Sequence, residues 1–194
     1  MDARTYFLTL HEEAHTRGKA VRVFGVPTPQ QWRVMLPGHN SIAWNVWHIA
    51  RGEDWAVTVL GRDEQLLTRH GWDRRMGAMR RDFGAGMSAA EAADLSAAID
   101  IDALRGYWDA VYEETRRFMQ NFDFDTLAEP MDAAARRRAM DLLGPGGEPM
   151  RDSVERVWTT KRGYVNVMTL MDVYYHLDEA DHVVRMLMLD RQFF

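Results

Sequence analysis

The sequence contains seven histidines and 29 acidic residues but no cysteine, so imidazole and carboxylate must supply any metal ligands. The absence of thiols excludes disulfides, Cys-ligated zinc, the usual iron–sulfur clusters and a thiol nucleophile of the chain's own. Three stretches bring suitable groups together. The first, His11-Glu12-Glu13-Ala14-His15, matches H-E-x-x-H, which in zinc peptidases puts two imidazoles and a general base on one helical face. Only ten residues precede it and no third ligand is identifiable. It is therefore expected on an exposed face, with solvated glutamates and incidental histidines.

The second stretch places Trp44, His48, Arg51 and Trp55 on one side of a helix at i+4, i+3 and i+4 steps. A lone histidine in such a stripe is more often a core side chain bonded to a carboxylate than a metal ligand. The third runs from Tyr174 to His182. There Asp178 and His182 stand four apart and point the same way, which suits two ligands on one ion. Glu179 and His182 form a poorer i,i+3 pair. The alternative is an acidic solvent face with an ion pair to Arg185. His176 is rotated well away from His182, so those two cannot easily share a small ion. Dinucleotide-binding, phosphate-loop and G-x-S-x-G patterns are absent.

Helices must position these groups, because helical periodicity dominates the chain. The pattern predicts a first helix over 3–17 capped by Asp2, and a long connection over 19–39 marked by Pro27, Pro29 and Pro37. A second helix is expected from an Asn40 cap to about residue 60. A short helix or turn and a loop should fill 62–87. Ser88 and Glu91 form a capping box opening a third helix to about 119. Residues 132–143 suit a helix inside a long connection, 151–160 one or two turns, and about 164–190 a final helix with a weak point at Gly163. The fold class expected is all-α, a four-helix bundle with long crossover connections in one domain spanning 1–194. Most of the seven tryptophans should be core, and Trp44 and Trp55 could wall a cofactor pocket over a metal.

The net charge of −5 counts against a nucleic-acid partner. No apolar stretch has the length to cross a membrane, and residues 1–20 are too polar for a signal peptide. A cytoplasmic location is expected.

The segment Ser41-Ile-Ala-Trp44-Asn-Val-Trp-His48-Ile-Ala-Arg51-Gly-Glu-Asp54, with Asp178 and His182-Val-Val-Arg185 late in the chain, resembles the DinB/YfiT-like metal-binding four-helix family. That resemblance implies a down-up-up-down bundle holding a divalent ion, zinc, nickel or iron, on three histidines. One comes from the second helix and two, four apart, from the last. Carried onto this sequence they fall on His48, Asp178 and His182, with aspartate in place of the second histidine and Glu179 as a fallback ligand. Relatives include transferases and isomerases that use a low-molecular-weight thiol such as mycothiol or bacillithiol. The resemblance thus implies a hydrolase or thiol transferase acting on a small molecule, with Arg51 holding a carboxylate and Glu53 or Asp54 orienting His48. The alternative is a non-catalytic bundle, monomeric or a homodimer, whose metal site is structural or degenerate. In that case the terminal Phe193 and Phe194 would dock against a partner or the chain itself.

Overall fold

The computed structural model describes residues 1–189, and Phe193 and Phe194 lie outside them. Helix α1 (Ala3–Thr16) starts where the Asp2 carboxylate accepts the Thr5 amide at 2.8 Å. The expected long connection after it holds a further helix, α2 (Lys19–Gly25), and a one-turn helix, Pro29–Trp32, whose Thr28 and Gln31 form a reciprocal capping box. The prolines that argued against a helix lie beyond the end of α2, so they terminate it rather than prevent it.

Helix α3 (Ile42–Val59) is capped by Ser41, which accepts the Trp44 amide at 2.9 Å; Asn40 instead gives its amide to Glu179. All of α3 is buried. Apolar side chains on every side make it the central rod of the bundle, and the same burial obliges its ionisable residues to find partners. Each of its fully buried Val and Ile side chains contributes about 1.5–3 kcal/mol relative to exposure.

The expected third helix is two. Helix α4 (Ala89–Ala98) begins at the Ser88–Glu91 capping box, and α5 (Ile101–Asn121) follows after Ile99 turns extended. Asp100 makes the break by accepting the Ala103 amide at 2.8 Å, while its own amide reaches the Met76 carbonyl at 2.9 Å. Helix α6 (Ala133–Leu143) lies in the long connection, capped by Asp132. Gly163 does not interrupt the last helical stretch. Lys161–Gly163 runs into a π-helical segment, Tyr164–Met171, and then α7 (Asp172–Leu189).

Helix α3 packs against α5, α7 and the π-helical segment, and α1 crosses α5. The architecture is all-α with long connections, as expected, but several short helices supplement the four long ones. All seven tryptophans are buried. No helix among the described residues is long and apolar enough to cross a membrane.

Candidate metal centre

Helices α3 and α7 bring His48, Asp172 and His176 together, with one potential ligand atom from each inside a 4.8 Å cluster. His48 Nδ1 donates to the Phe83 carbonyl, which can only accept, so Nε2 keeps its lone pair. That Nε2 lies 3.3 Å from Asp172 Oδ2. His176 Nδ1 faces Asn45 Oδ1 at 3.0 Å and Glu179 Oε2 at 3.2 Å, both acceptors. Asn45 is oriented by donating its amide to the Ser41 carbonyl at 3.1 Å. His176 Nε2 is thereby left facing Asp172 Oδ1 at 3.7 Å.

Metal-ligating imidazoles are held in this way, with one nitrogen fixed by an oxygen acceptor and the other presented to the ion. Separations of 3.3 and 3.7 Å also suit ligands around an ion with bonds of about 2.0–2.2 Å. Among the described residues, Asp172 Oδ2 is buried without a hydrogen-bond partner, an expense that a cation between the three groups would remove. Two imidazoles and one carboxylate leave further coordination positions open.

Trp44 stacks on His48 with centroids 4.7 Å apart and presents its edge to His176, so it does wall this cluster. Trp55 does not reach it. Its indole donates to the Ala139 carbonyl and packs with Phe83, Trp158 and Tyr164. Phe83 is presented by a tight turn in which Gly84 has φ of +85°, and a Cβ there would meet Trp47 at 2.8 Å. Gly84→Ala is expected to cost about 1–3 kcal/mol from strain and overpacking, read as a lower urea midpoint. By shifting the Phe83 carbonyl it should also weaken divalent-metal affinity in a chelator competition titration.

Asp178 and His182 stand elsewhere. Asp178 is exposed and pairs with Lys19 at 2.5 Å, and His182 is exposed beside His39 with ring centroids 5.1 Å apart. The physical reason is phase. Along α7 the buried stripe is Val173, Leu177, Ala180 and Val184. At about 100° per residue, Asp178 and His182 lie far round from that stripe, whereas Asp172 and His176 flank it. Both pairs have the D-x-x-x-H spacing, and the apolar stripe is the sequence signal that separates them. Glu179 sits behind His176 and accepts the Asn40 amide at 3.0 Å. Burial opposes its charge, but His176 and that amide outweigh burial and hold its carboxyl below the ordinary range. A cleft of about 690 Å³ opens here, lined by His39, His176, Glu179, His182 and Arg185 among others.

Arg51, Glu53 and Asp54 of α3 have their partners outside this cluster. Arg51 is fully buried and committed to Asp54, Tyr107, Gln65 and the Arg81 carbonyl, so its guanidinium is a packing element here. Glu53 does not orient His48. Its carboxylate receives His11 Nε2 at 2.9 Å and His15 Nε2 at 3.0 Å. The H-E-x-x-H histidines are thus buried rather than exposed, and the third partner missing from the motif comes from α3. Glu12, the motif's glutamate, instead turns to Arg116 at 2.8 Å.

Among solved structures, the chain is similar to the crystal structure of a conserved protein from Enterococcus faecalis, with a TM-score of 0.71. The two are 15% identical, and the alignment covers 97% of this chain and 98% of that one, a likeness of fold. No curated protein matches. The model of the DinB superfamily matches residues 11–150, which take in α3 and its His48 but stop short of Asp172 and His176. With the match spanning most of the sequence and a bundle of the corresponding shape, the chain belongs to the DinB superfamily.

Proposed function

We propose that this protein holds a divalent cation, zinc, nickel or iron, at His48, Asp172 and His176, and uses it to transform a small molecule entering the adjoining cleft. The observation that carries this reading is the orientation of the two imidazoles. Each has its Nδ1 fixed by an oxygen acceptor and its Nε2 directed at Asp172, whose Oδ2 is buried and unpartnered. A bound cation would act as a Lewis acid and lower the pKa of a nucleophile beside the substrate. Around it, Trp44 excludes water from one face of His48, and His176 forms part of the cleft wall. With no cysteine in the chain, thiol transfer would need an external thiol such as mycothiol or bacillithiol. Hydrolysis is the other reaction type this site suits.

The chain purified without chelator should carry divalent metal, and His48→Ala should remove close to one equivalent of it. A metal-free protein whose melting temperature is unchanged by chelator would overturn the proposal. Given metal, incubation with each thiol and an aryl electrophile, with mass spectrometry of the products, separates transfer from hydrolysis.

A further inference from the structure

We propose that His11, His15 and Glu53 form a second divalent-cation site, closed to solvent and structural, which ties α1 to α3. The H-E-x-x-H segment supplies two imidazoles four residues apart on α1, and Glu53 supplies the third group from α3. Suitable atoms of all three lie within 4.8 Å of one another, and all three side chains are buried. His11 Nε2 meets one Glu53 oxygen at 2.9 Å and His15 Nε2 meets the other at 3.0 Å. Ligands at tetrahedral angles around an ion with bonds of about 2.1 Å stand about 3.4 Å apart, so each contact need open by only about half an ångström to admit one. Imidazole with carboxylate is a donor set suited to zinc.

Charge points the same way. Among the described residues, Glu53 has hydrogen bonds only from these two imidazoles, and no lysine or arginine pairs with it. A buried carboxylate without a full countercharge is costly, and a dication supplies one. Binding at Nε2 displaces the proton that each imidazole offers Glu53 at that atom. Both Nδ1 atoms are buried without partners among the described residues, unlike those of His48 and His176. Those two unmet hydrogen bonds oppose the ion, while three coordinating groups and the charge of Glu53 favour it.

The surroundings argue against catalysis at this second site. Phe7 and Tyr112 stack on His11, Trp108 closes over His15, and Glu12 is held by Arg116 outside the cluster. With both Glu53 oxygens turned to the imidazoles the trio offers four donor atoms, and the rings packed around it leave no room for a substrate and no general base, which fits a structural site.

The test counts zinc in full-length chains produced in zinc-supplemented medium and purified without chelator, using inductively coupled plasma mass spectrometry. The His176→Ala chain should retain about one zinc per molecule, and adding Glu53→Gln or His15→Ala should remove it. Circular dichroism establishes that each variant is folded. Should both double variants unfold, cobalt(II) absorption of the His176→Ala chain decides: visible ligand-field bands support the site, and their absence overturns it. Zinc-free but folded His176→Ala protein also overturns it, leaving the trio as a hydrogen-bonded clamp. Zinc that survives Glu53→Gln does so too, because the ion then lies elsewhere. Failure of the His48 site reads differently, as equal zinc in the wild-type and His176→Ala chains.

Discussion

Asp54→Ala is expected to destabilise the protein by about 3–5 kcal/mol, the usual cost of stranding one member of a buried ion pair. Asp54 is fully buried and accepts the amides of Leu66 and Leu67 at 2.9 and 3.0 Å, Arg51 Nη1 at 3.2 Å, the Tyr107 hydroxyl at 2.7 Å, and Arg62. Burial keeps the Tyr107 hydroxyl protonated well above its ordinary range; Arg51 opposes this and Asp54 reinforces it, so Tyr107 remains a donor. Removing the carboxylate leaves Arg51 charged in a fully buried position. Among the described residues its Nε already lacks a partner, so only Tyr107, Gln65 and the Arg81 carbonyl remain to hold the guanidinium. Domains are stable by only about 5–15 kcal/mol, so the urea midpoint should fall by a large fraction. The double variant Arg51→Met, Asp54→Leu should be milder than Asp54→Ala, because it leaves only Arg62, instead of Arg51 and Arg62 together, without the carboxylate. A midpoint for Asp54→Ala within experimental error of wild type would show that the network contributes little.

That network also explains why Arg51 read from sequence as a binding residue. Helical spacing puts Arg51 on the same side as His48, but spacing cannot say what stands opposite. The partners Tyr107, Gln65 and the Arg81 carbonyl come from 56, 14 and 30 residues away, and no local rule brings them together. Capping, by contrast, is local chemistry. The Asp2 cap, the Ser88–Glu91 box and the Asp132 start of α6 were all legible. The break at Ile99–Asp100 was legible in principle, because an aspartate competing for first-turn amides is the same signal in mid-pattern. The burial of His11 and His15 was not, since the residue that makes it tolerable, Glu53, lies 42 and 38 positions along the chain.

His176→Ala is expected to lower divalent-metal affinity at the His48 site more than 100-fold, while His182→Ala should leave it unchanged. The sequence offers two D-x-x-x-H pairs in one helix, Asp172 with His176 and Asp178 with His182, six residues apart. Six residues rotate the face by about 240°, so only one pair can meet His48. Asp172 and His176 meet it, with Nε2–carboxylate separations of 3.3 and 3.7 Å, whereas Asp178 is taken by Lys19. Loss of an outer partner such as Asn45 costs a metal site about 10–100-fold, and loss of a ligand should exceed that. Competition titration against a chelator of known affinity measures both variants on one scale. Asp172→His provides the complementary gain: a third imidazole in place of the carboxylate should retain the ion and shift preference toward nickel and zinc. Equal losses from His176→Ala and His182→Ala would mean that α7 is rotated from the face described, and a loss confined to His182→Ala would transfer the site to Asp178 and His182.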